Sequence, residues 1–153
     1  MADLQARLAL LEHEREIVRT LHAYGHAIDY GDEDGWVDCF AEDGMFDVRG
    51  RIQHFVRGRE ELRRFIVRHT RAPDAWHKHF MVEPLVVLED GFATCSSYFT
   101  VLRDLDGVPV VGVFGRYLDR LVPEADGRWR FTERVAEVEV WRTDLPPLVA
   151  PAE

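Results

Sequence analysis

The chain has 153 residues, 46% of them hydrophobic, enough for one continuous core in one domain and too many for a disordered or disulfide-stapled chain. The 19 basic and 28 acidic residues give a formal charge of 19 − 28 = −9 with the two signs interspersed, so nucleic acid and anionic lipid are not expected as partners. Cys39 and Cys95 form no CxxC arrangement and read as buried small apolar residues, and no run approaches the roughly 20 apolar residues that span a bilayer. With no basic-then-apolar leader in the first residues, a soluble cytoplasmic protein is expected.

From Leu8 to Tyr30 the apolar residues Leu11, Ile17, Leu21, Tyr24 and Ile28 recur at helical gaps, with Gly31 as a C-terminal cap. Asp32, Glu33 and Asp34 then open a shorter helix carrying Trp36 and Phe40 one turn apart. Phe46 and Val48 alternate with Asp47 before Arg49-Gly50, which predicts a small hairpin, and Gly58 to His69 returns to helical spacing through Leu62, Phe65 and Ile66 until Pro73. Four long strands follow, at 76–89, 92–105, 108–122 and 128–141, each turn between them ending in Asp-Gly. Helices gathered before a strand meander predict an α+β domain over residues 1–143 with an antiparallel sheet, and residues 144–153 read as a Pro-rich C-terminal tail.

Three places carry residues capable of chemistry. On the last strand Arg134 shares parity with Ala136, Val138 and Val140, and a guanidinium on an apolar face requires a partner, such as a helix carboxylate, or a polar cavity. Asp29, one residue past Ile28, lies on the flank of the first helix's apolar stripe, where it can reach a helix–sheet interface. His77 and His79 share one strand face with Met81 and Glu83; this pair suits a general base near neutral pH or two metal ligands. The metal alternative, close to a cupin motif, fails because His79 is the last histidine in the chain, so no metal and no cofactor are expected.

The arrangement Glu16-Ile17, Tyr24, Ala27-Ile28-Asp29-x-Gly31-Asp32, then Trp36, Phe40 and Asp43, then Gly58-Arg59-Glu60 and His79, then Gly115-Arg116-Tyr117-x-Asp119 and Trp129-Arg130-Phe131-x-x-Arg134, resembles SnoaL-like proteins of the nuclear-transport-factor-2-like superfamily from residue 14 to about 141. Within that superfamily the pattern is most similar to lyases typified by bile acid 7α-dehydratase and hexachlorocyclohexane dehydrochlorinase; scytalone dehydratase is more distant, since Val48 and Gly31 stand where it has tyrosines. The resemblance implies a cone of curved sheet, an α+β barrel closed over a pocket by the N-terminal helices. It further implies His79 as base, Asp29 as its orienting carboxylate, Tyr24 as hydrogen-bond donor to a substrate oxygen, and Arg134 holding Asp29 ionised or assisting the leaving group. Glu83 stands where relatives often carry Asn, and it faces either the pocket or solvent.

The implied function is a cofactor-independent, dehydratase-type lyase acting on a small apolar cyclic molecule, steroid-like or polyketide-like. Two alternatives are a polyketide cyclase or isomerase, and a non-catalytic ligand-binding or dioxygenase β-subunit-like module. Relatives are homodimers or homotrimers, and an outward face with Trp129, Phe131, Val135 and Trp141 would supply an apolar surface for self-association.

Overall fold

The structure, a computed structural model, describes residues 2–150. Helix α1 (Ala2–Tyr30) and the one-turn α2 (Glu33–Val37) precede β1 (Phe40–Gly50), β2 (His54–Arg57), α3 (Gly58–Arg68) and four long strands, β3 (His77–Leu88), β4 (Ala93–Leu105), β5 (Val108–Pro123) and β6 (Trp129–Trp141). The six strands form one sheet in the order β2-β1-β6-β5-β4-β3. The α+β class and the meander stand as expected, with two differences in the sheet. Its edges, β2 and β3, do not meet, so it is an open curved sheet and not a barrel; and β1 runs parallel to β6, so it is mixed. No turn joins β1 to β6, which leaves their relative direction free of the antiparallel geometry a hairpin imposes.

Helix α1 starts at Ala2, before Leu8, and its first half stands clear of the core: Leu11 is 63% exposed, and burial begins at Ile17. Leu11 therefore does not belong to the packed stripe. Ile17, Leu21, Tyr24 and Ile28 press on the concave face of the sheet, with Thr20 donating to the Trp129 carbonyl at 2.6 Å. Phe40 does not extend α2 but opens β1, because the chain straightens after Asp38 and places the ring against Trp36 and Phe131. Trp36, Phe40, Phe46, Phe65 and Tyr24 form one aromatic cluster, and fully burying each such side chain contributes roughly 1.5–3 kcal/mol.

β-Bulges curve the sheet and reset its alternation. On β6, Arg120 faces Glu133 while Leu121 faces Phe131, so Thr132 is the extra residue. Phe131 before the bulge and Arg134 after it consequently both point inward, although strict alternation separates them. This overturns the outward apolar face expected on β6: Trp129 and Phe131 are core residues and Val135 is buried. Exposed aromatic rings sit instead on β2, β3, β4 and β5, at Phe55, Phe80, Tyr98 and Phe114. On β3 a bulge falls between Val82 and Leu85, where Pro84 has no N–H to pair and Glu83 takes a φ of 54°. Glu83 is exposed and leaves the face of His77 and His79.

Arg134 is 0% exposed and has a different partner from the expected Asp29. Its Nη1 lies 3.5 Å from Asp119 on β5, and its guanidinium sits 4.1 Å from the Tyr24 ring centre and 3.7 Å from that of Tyr117. Asp29 lies at the far end of α1, occupied by β3, whereas Asp119 is the direct cross-strand neighbour of Arg134. Burial pushes the Asp119 carboxyl up to about 7 against the pull of Arg134. Burial also opposes the charge on Arg134, and Asp119 together with the two tyrosines outweighs it, leaving the guanidinium more basic than usual.

The segment after β6 returns across the open end of the sheet. Val149 bridges to His69, the Thr70 N–H donates to the Leu148 carbonyl at 2.7 Å, and the Ala150 N–H donates to the Arg68 carbonyl at 3.0 Å. α3 ends at Arg68, short of Pro73, where His69 turns to an extended conformation and makes that bridge. Among the described residues no helix is long and apolar enough to cross a membrane.

Removing one member of a buried ion pair leaves the other uncompensated, at about 3–5 kcal/mol. Arg134→Met is therefore expected to lower the unfolding free energy in urea by about that amount, and adding Asp119→Leu to recover most of it; a single variant within about 1 kcal/mol of the parent would contradict this role.

Candidate active site

Asp29 occupies the last turn of α1 and is 4% exposed. A carboxylate near a helix C-terminus faces the carbonyl end of the macrodipole and needs donors. His79 supplies two: its backbone N–H lies 3.1 and 3.2 Å from the carboxylate oxygens, and its Nδ1 lies 2.6 Å from Oδ1. Against a carboxylate, Nδ1 carries the proton, which leaves Nε2 as the ring nitrogen with a lone pair.

The His79 ring lines a cavity of about 450 Å³ enclosed by the sheet, α1, α3 and the segment 148–150. Phe46, Phe65, Phe99, Val101 and Val138 make its walls apolar, and Tyr24, Tyr117, His54, His69 and His79 bring polar groups to it. A shape of this size and lining suits a small, largely apolar molecule. On the other side of the pair, Asp29 and His79 also border a groove of about 300 Å³ with His22, His26, Tyr30 and Lys78. The dyad thus stands between the cavity and the outside of α1.

Tyr24 is 1% exposed, and burial raises its hydroxyl well above the usual range, with Tyr117 beside it acting in the same direction. Tyr117 is likewise raised, by burial. Both phenols therefore keep their protons as hydrogen-bond donors. Arg134 does not line the cavity; it lies behind the two rings. Of the four predicted residues, Tyr24 and His79 line the cavity, Asp29 stands behind His79 and is bonded to it, and Arg134 contributes a buried positive charge behind the tyrosines.

Two residues escaped the sequence reading. Tyr117 was part of the run Gly115-Arg116-Tyr117-x-Asp119 without a role of its own; it shares inward parity with Gly115, whose missing Cβ lets β5 approach Glu137 of β6 to a distance that any Cβ would close to 1.9 Å. His69 was read as a helix end, yet Leu62, Phe65, Ile66 and His69 follow the spacing of one apolar face.

His77 is buried against the same carboxylate, its Nε2 3.6 Å from Asp29 Oδ1, and the rings of His69, His77 and His79 lie 5.3 to 5.6 Å apart. Asp29, His77 and His79 are the set among the described residues that could hold a metal ion, with ligand atoms within 4.8 Å of one another. Coordination there would displace the Nδ1–H from Asp29, which the 2.6 Å contact already satisfies. Burial, then the neighbouring His79, lowers His77 to about 4, so it is neutral at pH 7. An unfolded histidine binds its proton near 6.5, so in this window the unfolded chain holds more protons than the native one. The stabilisation is complete above 6.5 and is lost as pH falls toward 4. An NMR titration should find the His77 ring neutral at pH 5, and the parent should lose stability faster than His77→Phe between pH 6.5 and 4; titration of the ring near 6.5 would contradict its burial as a neutral group.

Comparison with known proteins agrees with this architecture. A function-unknown protein from Mycobacterium tuberculosis is 28% identical with a TM-score of 0.74, covering 94% of this chain and 78% of its own. An NTF2-like protein with a cystatin-like fold from Novosphingobium aromaticivorans is 23% identical with a TM-score of 0.77, covering 90% and 89%. A candidate scytalone dehydratase from the same organism is 18% identical with a TM-score of 0.71, covering 99% and 97%, and at that identity it speaks for the fold alone. No curated protein matches the sequence. The sequence model of the SnoaL-like domain matches residues 9–135, most of the chain and every element from α1 into β6, and the chain belongs to the SnoaL-like family.

Proposed function

We propose that the chain is a cofactor-independent lyase of the dehydratase type, removing a proton from carbon in a small, largely apolar cyclic molecule. The observation that carries this reading is the 2.6 Å contact between Asp29 and His79 Nδ1 in a residue that lines an apolar cavity. His79 Nε2 takes the proton, and Asp29 fixes the tautomer and stabilises the imidazolium that forms. Tyr24, with Tyr117 beside it, donates hydrogen bonds to the substrate oxygen that gains charge, and each such donor is commonly worth roughly 2–4 kcal/mol in a water-poor site. The Arg134 cation behind both rings favours negative charge at that place.

In a dehydration the electrons of the broken C–H bond form the double bond and the C–O bond breaks. The departing hydroxyl collects the proton held by the imidazolium and leaves as water, which returns His79 to its neutral state. The same proton abstraction serves an isomerase if the proton returns to a different carbon.

The test uses a probe that needs only a positioned base, the ring opening of 5-nitrobenzisoxazole. The protein is expected to accelerate it over buffer, with His79→Ala and Asp29→Asn each losing at least about 100-fold while remaining folded. Unchanged turnover in folded His79→Ala would remove the base, and loss confined to Asp29→Ala would assign acid catalysis to the carboxyl, as a cyclase reading requires.

A further inference from the structure

We propose that His69 is the specificity-determining acceptor of the cavity, selecting ligands that carry a hydroxyl group on the ring that lies against His79. The inference rests on the cavity being the ligand site of the proposed function, and it concerns a residue that the proton-abstraction chemistry does not use.

His69 is 5% exposed and lines the cavity. Its Nδ1 lies 2.7 Å from the carbonyl of Thr70. A carbonyl oxygen only accepts, so Nδ1 carries the hydrogen and Nε2 the lone pair. Among the described residues Nε2 has no protein partner and is not one of the fully enclosed polar atoms, so a donor in the cavity can reach it. Burial, then the neighbouring His79, holds the ring well below the usual histidine range, so it remains an acceptor at neutral pH.

The ring is held in place. Its backbone N–H donates to Ile66 at 3.1 Å, its strand-like bridge runs to Val149, and Thr70 is tied to Leu148 on the next step. The carbonyl that sets the tautomer therefore belongs to a segment anchored on both sides. The His69 and His79 rings are 5.6 Å apart, close enough for one ring-sized molecule to meet both. A phenol hydroxyl donates to a hydroxyl oxygen and an ether oxygen alike, whereas a ligand O–H also needs an acceptor, and beside the His79 base the ring nitrogen of His69 offers one. A methyl ether in the same place covers Nε2 without supplying a donor, which leaves the nitrogen unpaired in the complex.

The experiment compares 2-naphthol with 2-methoxynaphthalene and measures dissociation constants by titration calorimetry. The parent is expected to favour the naphthol by about tenfold or more, His69→Phe to abolish that preference, and His69→Gln, whose carbonyl can accept, to restore part of it. A second measurement needs no variant: in long-range proton–nitrogen NMR of the parent at pH 7, His69 Nε2 should be unprotonated and should shift on adding the naphthol but not its methyl ether.

A preference unchanged in folded His69→Phe, a preference lost only in His79→Ala, a protonated Nε2, or failure of the parent to distinguish the two probes would each overturn the proposal. These are binding measurements, so they remain readable if 5-nitrobenzisoxazole is not turned over. Conversely, turnover without a hydroxyl preference would overturn His69 alone.

Discussion

The pair of bonds from His79 to Asp29 joins the two halves of the molecule. One residue gives the carboxylate both its backbone N–H and its imidazole N–H, so the end of α1 and the start of β3 are fixed to each other in position and in rotation. The same contacts settle the tautomer, offset the electrostatic discomfort of an acid at a helix C-terminus, and leave Nε2 as the ring nitrogen without hydrogen. Structure and chemistry at this point are one arrangement. Loss of either partner affects the closure of the helix on the sheet as well as the base.

A second buried charge lies behind the two phenols of the cavity. Arg134 is enclosed by Tyr24, Tyr117 and Phe131 and balanced by Asp119, far from the carboxylate that a pattern reading would pair with it. Anionic and cationic centres are thus kept apart, with Asp29 serving the imidazole and Arg134 serving the phenols. A direct Asp29–Arg134 pair would neutralise both. Apolar side chains between them keep the local dielectric low, which strengthens each interaction.

Much of this was legible in the residues themselves. The helical spacing from Ile17 to Ile28, the Asp-Gly turns between long strands, and the placing of Tyr24, Asp29 and His79 at a helix–sheet interface follow from periodicity, turn chemistry and the family likeness. What stayed hidden depends on single extra residues. The bulge at Thr132 turns Phe131 and Arg134 to the same side, so alternation counted along β6 misplaces Trp129, Phe131 and the partner of Arg134. Pro84 marks a similar change on β3 and carries Glu83 out to solvent. The parallel pairing of β1 with β6 and the return of residues 148–150 over the cavity are tertiary choices between segments distant in the chain, for which no local signal exists. His69 belongs to the readable kind, since it continues the spacing of Leu62, Phe65 and Ile66.

The central claim is the state of one imidazole, and the most direct measurement is nitrogen-15 NMR of the His79 ring in the unliganded protein near neutral pH. The account predicts a protonated Nδ1, its hydrogen far downfield and slow to exchange because it bonds a buried carboxylate, and a Nε2 without hydrogen; in Asp29→Asn that downfield signal disappears. A ring that carries its proton on Nε2, or whose Nδ1 hydrogen exchanges as freely as that of a surface histidine, would contradict it.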